Sequence, residues 1–260
     1  MEGKFLFLGT GGSLGVPVIG CNCTVCQSNS PYDKRFRTSG LITFGDKNFL
    51  IDSGPDFRNQ ALSNKLNHID ALLLTHLHYD HIAGIDDLRI FNSYTEKAIP
   101  CYLSYETFYS FQHQYYYLFT PPQGEKSAFV QIDCHPLAEE SGNFKIFDCP
   151  FSFFNYYQGL TQVTGFRFGD CAYLTDIRSY SDHIFDWLKG TRTLIIGASK
   201  LVPSKMHFSF DEAMAFSQKV SPSQTYITHI SDSILHASAA AHLPNGIKFA
   251  YDGLEITFNI

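Results

Sequence analysis

The sequence predicts a single α+β domain, residues 1–260, whose buried strands deliver polar residues at their C-terminal ends. Three observations predict it. Short apolar runs that stop at Gly, Asp or His recur along the chain, as buried strands do. Helix-like stretches separate them without the strict rhythm of a parallel βαβ fold. And 260 residues, 44% hydrophobic and 17% charged, supply enough apolar surface for one sizeable core.

In chain order, Lys4 to Leu8 runs into Gly9-Thr10-Gly11-Gly12, Phe49 to Ile51 into Asp52, and Ile69 to Thr75 into His76. Ala172 to Thr175 runs into Asp176, and Tyr226 to Thr228 into His229. Helices are predicted over Asp56 to Lys65, Ile82 to Tyr94, Ser181 to Lys189 and Asp211 to Lys219. The last is opened by Ser209 with Glu212 three positions on, a capping box. The aromatic segment from Tyr102 to Gly124, with Tyr115-Tyr116-Tyr117 and Pro121-Pro122, reads as core packing, a dimer face or a substrate wall. No linker, low-complexity tract or internal repeat interrupts the chain.

A formal net charge of −6 argues against a surface for long nucleic acids, which need clustered Lys and Arg. A small anionic substrate stays open, since a metal supplies positive charge locally. No apolar run is long enough for a membrane span, and Phe5 to Leu8 is too short for a signal-peptide core, so a cytoplasmic location is expected. Seven cysteines, three of them as Cys21-x-Cys23-x-x-Cys26, point to a thiolate metal site rather than a disulfide framework. Cys101, Cys134, Cys149 and Cys171 read as small core residues.

The strongest chemical signal is His76-Leu77-His78-Tyr79-Asp80-His81 directly after a strand. Imidazoles suit Zn, Mn and Fe, and a carboxylate two positions along serves a second ion, so the spacing is that of a two-metal site. With Thr75 in front, the run resembles the signature of the metallo-β-lactamase superfamily. Further stretches resemble its phosphoribosyl cyclic phosphodiesterase (PhnP-like) branch: Gly9 to Ser13, Gly20 to Cys26, Arg35 to Ser39, Ile51 to Arg58, Gly84 to Arg89, Gly165 to Arg167, Tyr173 to Asp176, His207 to Ser209, Thr228 to Ser231 and Tyr251 to Glu255. The resemblance covers nearly the whole chain in order. It implies an αββα sandwich, two mixed sheets packed face to face with helices outside.

By that resemblance His76 and His78 bind a first divalent ion, Asp80, His81 and His229 a second, and Asp176 bridges them. The ions would be Mn or Zn. His207 corresponds to a histidine that reaches the substrate phosphate and acts as acid. Asp52 reads either as an acceptor that orients a ligand imidazole or as a turn carboxylate capping Ser53-Gly54. The glycine loop Gly9 to Gly15 lacks the Gly-Lys-Ser/Thr ending of a nucleotide loop and reads as tight turning beside the metals. Asp86 and Asp87 read as a salt-bridged or solvated pair.

Two positions depart from the branch. Gln158 stands where it has a further His for the first metal, so the amide is a weak or lost ligand and the second site is expected to be the tighter one; His135 lies too far upstream to replace it. Asp232 stands where it has the His that completes a structural zinc with Cys21, Cys23 and Cys26. A Cys₃Asp zinc, a site using His236 instead, and three reduced thiols without an ion are the alternatives.

The function so implied is hydrolysis of a small cyclic or nucleotide-like phosphodiester by a metal-activated hydroxide, with Asp80, Asp176 and His207 as the catalytic set. Thioester or lactone hydrolysis on the same fold, and a metal-binding cofactor-biosynthesis role impaired by Gln158, are the rivals. The resemblance also implies a homodimer.

Overall fold

The computed structural model describes residues 2–119 and 129–260. The first half of the chain supplies β1 (Glu2–Gly9), β2 (Ser39–Phe44), β3 (Lys47–Ile51), β4 (Ala71–Leu73), β5 (Ile99–Ser104) and β6 (Ile132–Leu137). The second supplies β7 (Ser141–Ile146), β8 (Cys149–Gln158), β9 (Thr161–Phe168), β10 (Cys171–Leu174), β11 (Thr193–Gly197), β12 (Gln224–Thr228) and β13 (Ile247–Phe249). A last strand, β14 (Glu255–Asn259), returns to pair with β1. One seven-stranded sheet runs in the order 14-1-2-3-4-5-6 and the other 13-12-11-10-9-8-7. Each is mixed, antiparallel in its hairpins and parallel from β3 to β6 and from β10 to β13.

The strands are apolar on both faces, and the period of two sends alternate residues to different layers. Phe5, Phe7, Phe49, Ile51 and Leu73 pack between the sheets against Phe151, Phe166, Phe168 and Tyr173 of the second sheet. Leu8, Leu50 and Leu72 face outward onto Phe57, Phe91 and Phe111. Those three belong to the helices α1 (Phe57–Ser63), α3 (Arg89–Thr95) and α4 (Tyr105–Gln114), with the short α2 (Tyr79–Ile82) before α3. On the second sheet Leu174, Leu194 and Ile227 meet α5 (Ile184–Leu188), α6 (Phe210–Val220) and α7 (His236–Ala240). The result is the expected sandwich of two sheets with helices outside.

Ser209 caps α6 as expected, accepting from Glu212 N while the Glu212 side chain accepts from Ser209 N. Other elements differ from the sequence reading. The helix expected over Ile82 to Tyr94 is three pieces, with a 3-10 turn over Ile85–Leu88 between α2 and α3. Gly84 N donates to Ser53 O, and a Cβ at Gly84 would lie 2.0 Å from Gly54 O, so another loop packs against the point where the helix would continue. The aromatic segment contains α4, capped by Ser104 and anchored by buried Phe111. Pro121, Pro122 and Gly124 lie outside the described residues. Cys101 and Cys171 are buried, but Cys134 and Cys149 are half-buried, so only two of the four are core residues. No helix among the described residues is long and apolar enough to cross a membrane.

Candidate metal centre

Asp52, Asp176 and His229 follow the ends of β3, β10 and β12, and all three are left-handed, with φ of 59°, 52° and 59°. Asp and His tolerate that region better than most residues, at some cost. The turn stops each strand abruptly and brings its side chain to one end of the sandwich. Asp80 and His81 arrive from the other side on α2, where Gly54 permits close contact: a Cβ there would lie 2.0 Å from Asp80 O. The glycine loop braces the third strand end, with Gly12 N donating to Ile230 O and Ile230 N to Thr10 O.

His81 Nε2 lies 3.3 Å from Asp80 Oδ2 and 3.1 Å from Asp176 Oδ2. His229 Nε2 lies 3.4 Å from Asp80 Oδ2 and 3.2 Å from Asp176 Oδ1. All four side chains are buried. Two ligands each about 2.1 Å from one ion at a tetrahedral angle stand about 3.4 Å apart, so these separations suit a shared cation. His81 Nε2 and His76 Nε2 make no hydrogen bond, although both are buried, which is how nitrogens reserved for a metal would stand. The residues fit the divalent ions that the sequence implies.

Electrostatics agree. Burial raises the Asp80 and Asp176 carboxyls, but the imidazoles of His81 and His229 outweigh it and hold both below the usual range. Burial lowers His81 and His229, but Asp176 and Asp80 outweigh it and hold both above theirs. The cluster therefore holds its carboxylates ionised. His76 and His78 are pushed down, first by burial and also by His81, leaving neutral imidazoles with a free lone pair.

Asp52 settles between its two readings. Its Oδ2 accepts from His81 Nδ1 at 2.7 Å and from Thr75 Oγ1, and its Oδ1 accepts from Thr75 N. It orients the imidazole so that Nε2 faces Asp80 and Asp176. Thr75, the first residue of the signature run, thus gives Asp52 two hydrogen bonds, a role that the sequence pattern alone does not show.

Three expected residues stand differently from the rest. His78 belongs to none of the close donor groups; its Nε2 lies 3.4 Å from Thr161 Oγ1. Gln158 Nε2 donates to Asp176 Oδ1 at 2.8 Å, and its buried Oε1 has no partner. His207 Nδ1 lies 3.3 Å from Asp176 Oδ1, and its ring stacks on His229 with centroids 4.8 Å apart. Burial and then His229 push His207 down to about 4, so without a bound anion its imidazole is neutral.

At the cysteine loop, Asp232 Oδ2 lies 3.5, 3.6 and 3.7 Å from the sulfurs of Cys21, Cys23 and Cys26. A tetrahedral zinc with Zn–S of about 2.3 Å and Zn–O of about 2.1 Å would space such donors by about 3.6 Å. His236 is turned elsewhere, its Nδ1 2.9 Å from Arg35 Nη2, and does not join the group.

A recess of about 760 Å³, lined by Phe144, Phe151, Arg167 and Asn259, lies at the opposite end of the sandwich. Two smaller ones flank the donor cluster.

Residues 47–230 match the β-lactamase superfamily domain. The chain belongs to the metallo-β-lactamase superfamily. Within that superfamily it is PhnP-like: it superposes on a diphosphatase of the PhnP family with a TM-score of 0.91 and 35% identity, over 99% of this chain and 98% of that one. An octanoyltransferase of Porphyromonas gingivalis is 34% identical over 259 residues, 97% of this chain but only 51% of that protein. Coenzyme PQQ synthesis protein B of Methylorubrum extorquens is 32% identical over 109 residues, 36% of each chain. This metallo-β-lactamase-fold chain thus spans about half the length of the first curated relative and matches about a third of the second.

Proposed function

We propose that the chain is a metal-dependent phosphodiesterase acting on a small cyclic or nucleotide-like phosphodiester. One observation carries the reading: Asp80, His81, Asp176 and His229 converge with separations of 3.1–3.4 Å, and His207 stands 3.3 Å from Asp176. Likeness to a diphosphatase supports phosphorus as the electrophile.

Asp80, His81, Asp176 and His229 would hold one divalent ion, and His76, His78 and Asp176 a second. Such ions lower the pKa of water to about 7 and neutralise phosphoryl oxygens. Asp176 would serve both ions, and Asp52 holds the His81 ring. His207, at the open side of the cluster, would meet the leaving oxygen through a ring N–H; an anionic substrate favours its protonated form. Cys21, Cys23, Cys26 and Asp232 would hold a structural zinc that ties the loop after β1 to the segment after β12.

The test is metal content per chain alongside hydrolysis of bis(p-nitrophenyl) phosphate and of an acyl thioester. Metal-dependent cleavage of the diester supports the reading. Cleavage of the thioester alone would replace it with acyl chemistry, the reading that the octanoyltransferase brings to mind.

A further inference from the structure

We propose that a polar recess beside His76 and His78 holds an uncharged, hydroxyl-bearing part of the substrate, a sugar or nucleoside, and that Gln162 is its principal hydrogen-bonding residue. The proposal rests on the phosphodiesterase reading and names the part of the substrate that lies away from His207.

The recess, about 200 Å³, is lined by His76, His78, Glu106, Ser110, Gln114 and Gln162, among others. Pockets that enclose a whole drug-sized ligand start near about 300 Å³, so this one takes a portion of a molecule. Glu106, Ser110 and Gln114 fall at i, i+4 and i+8 on α4 and so share one face of that helix. Gln162 comes from β9 on the opposite wall. It is only 7% exposed, and what remains open of its side chain lines the recess. The β8–β9 ladder uses its backbone alone. A side chain held this firmly in one wall, with its polar end open only to the recess, is placed to bond what enters there.

Charge decides what kind of group enters. Among the described residues no Lys or Arg lines the recess, and Glu106 would repel a second phosphate. Carboxylate, hydroxyl and amide together match sugar hydroxyls or a base edge, each of which both donates and accepts. The other flank is its opposite: a recess of about 320 Å³ lined by His207, Lys200, Ser199 and Ser231. Its acidic residue, Asp232, has Oδ2 turned to the three sulfurs. The cleft thus presents a carboxylate beside His78 and a lysine beside His207, and that difference orients the substrate.

The experiment compares two diesters with the same leaving group, bis(p-nitrophenyl) phosphate and the p-nitrophenyl ester of thymidine 5′-monophosphate, on metal-loaded wild type and Gln162→Leu. The ratio of kcat/KM for the nucleotide ester to that for the other diester should fall about tenfold, mainly through KM. If Gln162→Leu does not fold, the double variant E106A/Q114A on the exposed helix face should lower the same ratio several-fold. A ratio unchanged in both variants overturns the proposal. If wild type cleaves neither diester, the phosphodiesterase reading fails separately, and calorimetry with thymidine 5′-monophosphate still reads the recess. Weaker binding in Gln162→Leu upholds it there; equal binding overturns it.

Discussion

Gln158 Nε2 donates to Asp176 Oδ1 at 2.8 Å while standing 3.1–3.2 Å from the ring nitrogens of His207, so the amide fills the space between that carboxylate and that imidazole. An amide nitrogen has no lone pair for a cation, and its hydrogens compete with one for Asp176 Oδ1. Gln158→His would replace a donor by a ligand.

The expected outcome is therefore unequal occupancy in the wild type and fuller occupancy in Gln158→His. After dialysis against metal-free buffer, elemental analysis should find about one tightly held ion at the centre in wild type and about two in the variant. Two equally tight ions in the wild type would mean that the side chain turns to ligate through Oε1, and the blocking role would be lost.

His207 touches Asp176 and His229 but sits at the edge of the cluster, less deeply buried than either. Replacing it by Ala should lower diester turnover by about 10²–10⁴ while leaving metal content close to wild type. Metal loss in step with activity would instead make it a ligand, a role that its closeness to Asp176 and His229 also permits.

Much of this centre was legible because its signals are local. His76 to His81 is one run of the sequence, and Asp52, Asp176 and His229 each punctuate an apolar strand. What the sequence left open depends on contacts between distant segments. Whether Asp52 caps its own turn or reaches His81, 29 residues away, is decided by how β3 and α2 pack. Helix α4 went unread because Tyr and Phe favour strands by propensity, and its anchors, Phe108 and Phe111, are few within an aromatic-rich stretch. Gln162 gave no signal at all: a Gln in a strand is ordinary until the fold sets it in the wall of a recess.

Asp232 should determine zinc at the cysteine loop. Asp232→Ala removes the oxygen that lies 3.5–3.7 Å from all three sulfurs, and tetrahedral closure then needs a solvent ligand. Zinc released by a chelator should appear faster from Asp232→Ala than from wild type, and slower from Asp232→His. Identical release from all three proteins would mean that residue 232 is no ligand, and no zinc in any of them would leave the sulfurs as a reduced thiol cluster.

Asp252 gives a pH dependence separable from the metal centre. Its carboxylate accepts from Thr10 Oγ1 and Phe36 N, and burial pushes it up to about 6 despite those bonds and the Arg35 charge. A carboxyl raised in the folded state binds its proton more tightly there than in the unfolded chain, whose value is near 3.8. Its stabilising contribution is complete below pH 3.8 and is lost as pH rises through about 6. Asp252→Asn has no such titration, and subtracting its stability from wild type cancels the metal-ligand protons that titrate in both. The difference, from urea unfolding at several pH values, should move against wild type between about pH 4 and 7 and then level off. A difference that instead moves in favour of wild type over that range would mean that Arg35, through Thr10, holds Asp252 ionised in the folded state, and that the buried pair is ionic throughout.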